Sequence, residues 1–527
     1  MDDKVATEHH QLEAIPKLAA NDLAEAQQVE IAAHTMSTWR TIQSHKRIIA
    51  ISPLMDGFDT IAMNLCLTMP AFDRVFGVHV GSTYVIEATW QSAWAAMYQI
   101  GICFGALSSA QVSDRLGRRA AMVAGCIISA AGVAVLFAAD TKAMFLIGKI
   151  INATCQVYNS EIVSLKLRGP ILALFTFSQV LGQLISVSIV HGRVGIQTPM
   201  AYRLPFALEW IWPGLLAIIA LLIPESPWHL LRAGGEAKAA AALKRLHGSD
   251  YDTAPEIALM QKVTEEERLN RSSSAKAGFI DCFKGTNRRR TLIACFIVVV
   301  QQAAGVVFYS NSSYFLLQAG ISADKSIMAT EIGIALALPA NAISWFTMSR
   351  FGRRTLLIFS LSTVTCIMLA VGIAGSVPRT TASLWTLGGL LIVSPFFYNL
   401  GVGSVYPVLA AEVPSTELRA QTSSIAFFAF AFGSFSFNLF FPYMYNTTAG
   451  NLGGKCGYFF AGLSIICIFI VYFFVPETFG RTYAELDEIF EEGISARKSS
   501  AYVCKGAITH SAAAPEKGNE TLAEEAV

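Results

Sequence analysis

The chain has 527 residues, of which 53% are hydrophobic and only 15% charged, with a mean hydropathy of +0.48. Such a composition excludes an ordinary soluble domain and indicates a polytopic membrane protein. The balance of 39 Lys+Arg against 38 Asp+Glu leaves no basic face for a nucleic-acid partner. The 10 cysteines fall mostly in apolar runs without CxxC spacing and read as small hydrophobes, with no metal site, cofactor or disulfide framework implied.

The first 40 or so residues are polar and lack an apolar signal core, so the first membrane helix is expected to direct insertion. A hydrocarbon layer about 30 Å thick needs roughly 20 apolar residues per helix. Applied along the chain, that ruler predicts twelve spans, near residues 48–72, 88–112, 120–138, 143–158, 172–190, 206–223, 291–318, 327–348, 355–375, 384–410, 421–445 and 457–475. The fold class is therefore all-α, with two six-helix bundles at 48–223 and 291–475. A linker at 224–290 and tails at 1–47 and 476–527 complete the division. The linker carries Lys238, Lys244, Arg245, a Glu265-Glu266-Glu267 run and Arg288-Arg289-Arg290, which suits short amphipathic helices on a membrane face.

A glycine-flanked basic turn occurs twice between apolar runs, as Asp114-Arg115-Leu116-Gly117-Arg118-Arg119 and, about 235 residues later, as Arg350-Phe351-Gly352-Arg353-Arg354. Glycine permits a tight turn and the arginines require water, so each copy is an aqueous hairpin. Two copies in matching places indicate duplicated halves and hence a carrier. Lys46 and Arg47 precede the first span and the number of spans is even, so both termini and both basic turns are expected in the cytoplasm. Asn446-Thr447-Thr448 is an N-glycosylation sequon on the predicted outer side, close to a helix end.

Further motifs sit at the same ends. Pro224-Glu225-Ser226-Pro227-Trp228 follows span 6, and Pro476-Glu477-Thr478-Phe479-Gly480-Arg481-Thr482 follows span 12. Glu161 with Arg168-Gly169, Glu412 with Arg419, and Gln301-Gln302-Ala303-Ala304-Gly305 in span 7 complete the set. In this order they resemble the sugar porter family of the major facilitator superfamily over about residues 51–490. Within it, the stretches 202–210, 412–420, 451–455 and 480–490 look like those of fungal maltose and general α-glucoside permeases. The resemblance implies a proton-coupled sugar importer of the plasma membrane, working as a monomer in the bilayer by alternating access. A sugar sensor without transport, or a facilitative carrier of another sugar or polyol, stays open. Neither a Walker A sequence nor a cytosolic segment large enough for a catalytic domain suggests an enzyme.

Arg115, Arg118, Arg353 and Arg354 can meet Glu161, Glu225, Glu412 and Glu477 at one face, because a guanidinium fork holds a carboxylate through two hydrogen bonds and keeps its charge. Asp114, Arg168 and Arg419 belong to the same proposed gate. The resemblance implies that such pairs hold the outward-open state. The alternative is loop anchoring, where single surface pairs are worth only about 0–1 kcal/mol. Ser349 stands where the second copy usually has aspartate, which weakens that half of the lock.

Asp56 and Asp59 lie inside span 1, where a carboxylate is costly without a purpose. Gly57-Phe58-Asp59-Thr60 resembles the span 1 motif of proton-coupled sugar porters, which places the proton on Asp59. Asp56 reads as a helix-end or gate residue, and a later start of span 1 would put both in a vestibule. The matching cation in symporters is an arginine after a glycine in span 4; here the pair is Gly148-Lys149. Only about twelve residues separate Gly148 from Glu161, roughly eight fewer than the family pattern. At 1.5 Å per residue that removes about 12 Å of helix, so a shortened span 4 is expected.

Sugars combine many hydroxyls with flat apolar faces, so their sites join amides to aromatic platforms. Gln183, Gln301 and Gln302 are the leading ligands, because each amide sits in an apolar run and needs a partner. Helix-to-helix hydrogen bonding is the alternative. Tyr309, Asn311, Asn399, Tyr406 and Asn438 follow. Phe427, Phe428, Phe430 and Phe432 serve equally well as lipid-facing bulk. Val307 stands where hexose porters carry asparagine, which argues against hexose specificity.

Overall fold

The computed structural model describes residues 53–80, 83–160, 168–247, 279–378, 380–415, 418–447, 449–481 and 483–500, with a few more between 251 and 261 and at 502 and 504. Each of the twelve apolar segments is helical within these residues. The helices are α1 (53–66), α2 (Ala88–Leu116), α3 (Arg118–Ala138), α4 (Lys142–Ser160), α5 (Arg168–His191) and α6 (Met200–Glu209, continuing as Ile211–Leu222). The second set is α7 (Gly285–Ala303, then Val306–Ser310 and Ser312–Ala319), α8 (Ala323–Phe351), α9 (Arg353–Ala374), α10 (Thr381–Leu400, then Val402–Glu412), α11 (Arg419–Tyr445) and α12 (Cys456–Phe474). Eight of the described helical stretches are long and apolar enough to cross a membrane.

The breaks have local causes. Gly305 interrupts α7 at φ 85°, a left-handed conformation that glycine adopts without a steric cost. Next to it, the amides of Gln301 and Gln302 end the first part of the helix and face the bundle interior. Gly401 divides α10 between Pro395 and Pro407.

Between α1 and α2 the chain adds a short helix, Pro70–Phe76, and a small antiparallel hairpin of β1 (Val78–Val80) and β2 (Thr83–Val85). Phe72 and Phe76 pack edge-on against Trp94 and Tyr202 there. This cap has no counterpart among the expected elements, since its strands are too short to leave a clear period-two pattern. The linker folds as Pro227–Arg232 and Glu236–His247, and Leu243 packs with Ile257, Met260 and Trp228. The apolar face of an amphipathic helix is thereby buried locally.

Span 4 is not short within the described residues. α4 runs 19 residues, roughly 28 Å at 1.5 Å per residue, close to the hydrocarbon thickness. Glu161, with residues up to 167, lies outside the described residues.

α1 and α5 pack at backbone contact. A Cβ on Gly57 would come within 1.9 Å of the Gln179 carbonyl oxygen, and one on Gly182 within 2.1 Å of that of Leu54. Small residues let helix backbones approach where apolar burial drives nothing, because lipid is as apolar as the side chains. The two halves meet along α2 with α11 and along α5 with α8. Phe428 and Phe432 point outward from α11, 68% and 63% exposed, so they belong to the lipid face.

Candidate transport site

A cluster of buried charge lies inside the first half. Lys149 Nζ on α4 is 2.7 Å from Asp59 Oδ1 on α1, with the lysine 2% and the aspartate 0% exposed. The ammonium also lies 5.0 Å from the centroid of the Tyr98 ring on α2. Glu209, at the break in α6 and 0% exposed, accepts from Asn152 Nδ2 at 2.6 Å and stands beside Asp59. Ser129 Oγ donates to Asn152 Oδ1 at 2.9 Å and ties α3 into the network. Asp56, one turn from Asp59, accepts from Gln179 Nε2 on α5 at 2.5 Å, and the Tyr98 hydroxyl also reaches it. Asp59 is thus inside the bundle, with Asp56 half-buried one turn away.

Glu209 escaped sequence reasoning, although the argument that singled out Asp59, an acid in an apolar run, applies to it equally. The predicted span 6 began at residue 206, so this acid looked terminal. Its place became clear only when α6 was seen to start at Met200.

A second cluster lies across the seam, on the other half. Tyr398 donates to Gln301 Oε1 at 3.1 Å, and its ring lies 5.1 Å from that of Tyr309. Tyr406 reaches Gln301 and lies near Asp56 of the first half. Gln302 is buried, and among the described residues its Oε1 has no hydrogen-bond partner. Asn64 and Gln91 of the first half enclose, with Asn311, Asn438 and Tyr445 of the second, a cavity of about 10 Å³, room for roughly one water.

The remaining predicted ligands are placed less favourably. Asn311, Asn399 and Asn438 each donate to a carbonyl one turn back, Val307, Pro395 and Ser434. Gln183 is half-buried on α5. Tyr398, beside Asn399, was a missed member, as was Gln91. Neither has a motif, and only the packing brings them to the centre.

The two basic turns are built alike. Gly117 and Gly352 have φ 91° and 81°, and each presents the first amides of the next helix to a glutamate. Arg118 N donates to Glu225 Oε1 at 2.9 Å, and Arg353 N to Glu477 Oε1 at 2.9 Å. A carboxylate at a helix N-terminus satisfies orphan amides and complements the dipole. Arg119 and Arg354 then reach the Leu221 and Tyr472 carbonyl oxygens at 2.9 and 2.6 Å. Glu225 and Glu477 thus bind backbone amides, in place of the expected guanidinium pairing. Among the described residues of the proposed gate, Arg353 pairs with Glu412 at 3.1 Å. Arg115 and Arg118 are exposed. Arg419 starts α11, and the side chains of Asp114 and Arg168 are outside the described set. Each of these contacts joins residues of one half.

Ties between halves gather at the opposite end. Thr68 bonds Ser313 at 3.1 Å, and Gln91 takes part in bonds with Tyr314 at 2.9 Å and Tyr445 at 2.8 Å. Asn446, fully buried, donates to the Ile86 carbonyl oxygen at 3.0 Å, so the sequon asparagine is a structural tie and is withdrawn from solvent. Ser188 and His191 of α5 both reach Glu331 of α8. Deeper in the same seam, Thr176 bonds Asn341.

Two duplicated helical bundles, closed at one end around buried charge and amides, define a membrane carrier of the major facilitator fold. The model of the family described as "Sugar (and other) transporter" matches residues 47–490, and the chain belongs to that family. It is 32% identical over 490 residues to the general alpha-glucoside permease of Saccharomyces cerevisiae (strain ATCC 204508 / S288c), covering 89% of this chain and 79% of that one. To the MFS transporter fmqE of Aspergillus fumigatus it is 30% identical over 523 residues, 94% and 97% of the two chains. The xylose transporter XylE from E. coli, in a partially occluded inward-open conformation, superposes with a TM-score of 0.66 at 20% identity, covering 84% of this chain and 99% of that one. The protein is a multi-pass membrane transporter and not an enzyme.

Proposed function

We propose that the protein imports an α-glucoside disaccharide such as maltose across the plasma membrane, by proton symport with alternating access. The observation that carries this reading is the buried Lys149–Asp59 pair beside Glu209. Two fully buried acids, Asp59 and Glu209, share one buried base with half-buried Asp56 beside them, and a net charge in a low-dielectric interior is expensive. In this reading Asp59 carries the coupled proton, and movement of Lys149 relative to Asp59 times its release. Gln301, Gln302, Tyr309, Tyr398 and Tyr406 offer the sugar amides and ring faces, with Gln183, Asn311 and Asn438 at its edges. Tyr406 lies near Asp56, so cargo and proton meet at the seam.

The bundles are residues 48–223 and 291–475, with the basic turns, the linker and both tails in the cytoplasm. The closed end then faces outside, and the described conformation is the inward-facing one. In the outward-facing state Arg115, Arg118, Arg353, Arg354, Arg168 and Arg419 pair with Asp114, Glu161, Glu225, Glu412 and Glu477 across the inner mouth.

A second reading is a carrier of a non-sugar cargo. It is favoured by Asn311, Asn399 and Asn438, each of which turns an amide N–H to a carbonyl oxygen of its own helix. Uptake of labelled maltose in yeast lacking its own α-glucoside carriers, with and without a protonophore, tests both. Proton-dependent uptake lost in Asp59→Asn supports symport. Uptake indifferent to both treatments sinks it, and no uptake of any α-glucoside by protein at the cell surface leaves the second reading.

A further inference from the structure

Ser188 and His191 stand one turn apart at the end of α5 and grip one carboxylate of the other half. Ser188 Oγ donates to Glu331 Oε1 at 2.6 Å, and His191 Nδ1 lies 2.5 Å from Glu331 Oε2. The other ring nitrogen, Nε2, lies 3.5 Å from Asp324 Oδ1, also on α8. An imidazole between two carboxylates, one on each nitrogen, can satisfy both only as imidazolium, because the neutral ring has a single N–H. His191 and Glu331 are 27% and 26% exposed, open enough to exchange protons with the solution.

Other charges nearby are engaged elsewhere. Lys325 sits over the Trp385 ring and Arg203 of α6 pairs with Asp140. Glu412 of α10 is held by Arg353 among the contacts of the basic-turn end, and Arg193 follows in the turn after α5.

We propose that Ser188, His191, Glu331 and Asp324 form a proton-tightened clasp between the two halves, which holds the outer mouth shut more firmly as the outside solution becomes more acidic. With a proton on His191, both carboxylates of α8 are tied to α5. Without it, the attraction to Asp324 is lost and the bond to Glu331 is no longer charge-assisted, so the seam parts more readily. The clasp opposes the proton-driven cycle from which its orientation is taken, so the carrier has an acid limit separate from the buried cluster.

The test reads opening without cargo. Ser313, fully buried at the outer tie, is replaced by cysteine and labelled in intact cells with a membrane-impermeant maleimide at external pH from about 7 to about 5. Thiolate content falls with pH in every variant, so the readout is the ratio of labelling rates in His191→Gln and His191 backgrounds. Exposed ion pairs of this kind are worth about 0.2–1 kcal/mol, so the ratio is expected to rise about two- to fivefold on acidification. Glu331→Gln, which keeps the Ser188 bond, is expected to behave the same way and guards against a fold defect in the first variant. A ratio independent of pH in both variants overturns the clasp. Labelling obtained only from inverted vesicles overturns the orientation, while the same pH-dependent ratio there upholds the clasp.

Discussion

The two halves share a framework and differ inside it. Each has a basic turn with a left-handed glycine, a glutamate from the far end of its bundle on the next helix's amides, and an arginine on a carbonyl oxygen. Inside, the first half buries carboxylates and an ammonium, and the second buries amides and phenols. Duplication kept the parts that hold helices together, while the interior separated into charge on one side and neutral hydrogen bonding on the other. The seam where Tyr406 approaches Asp56 is where those chemistries touch.

The largest effect expected from breaking this division is Lys149→Ala. It leaves buried carboxylates without their cation, a cost of about 3–5 kcal/mol, visible as a large loss of thermal stability of the detergent-purified protein. Adding Asp59→Asn to it is expected to restore most of the stability; no recovery would mean that packing, rather than charge, is what Lys149 supplies. On the neutral side, Gln301→Ala removes the acceptor of Tyr398 and is expected to raise KM about three- to tenfold, from a bond worth about 0.5–1.5 kcal/mol. The accumulation ratio driven by the proton gradient should not change. A changed ratio would show that the second half also carries coupling.

Smaller effects test the shared framework. Gly117→Ala and Gly352→Ala each force an L-residue into a positive-φ, extended-ψ conformation that is essentially glycine's alone, at about 1–3 kcal/mol, with the new Cβ 2.6 and 2.5 Å from a glutamate oxygen. Equal losses of melting temperature are expected, and a clear inequality would contradict the structural twinning. Arg353→Lys keeps the charge but loses the planar fork, so a cost below about 1 kcal/mol is expected in unfolding measurements. Such a variant should leave sugar affinity untouched.

The twelve apolar runs, the duplicated turn and the aspartates of span 1 were all legible in the chain, because membrane insertion demands about 20 apolar residues per span and makes every exception conspicuous. Glu209 was legible by the same rule but masked by a boundary placed six residues late. Gln91, Tyr398 and the His191 clasp carried no such signal, since a glutamine or tyrosine in a helix is equally at home against a neighbour or a ligand. The amide contacts of Glu225 and Glu477 were not legible, because carboxylate and arginine in one motif suggest an ion pair, whereas in this conformation the turn offers backbone amides.

By itself, the sequence determined the membrane class, the number of helices, their duplication and which ends carry the arginines, all of which follow from the cost of placing polar groups in hydrocarbon. Tertiary structure alone decided which groups meet. It joined Lys149 to Asp59 across 90 residues, Glu331 to His191 across 140 and Asn446 to Ile86 across 360. Those contacts depend on how helices rotate and cross, and small residues such as Gly57 and Gly182, through backbone contact, set that geometry.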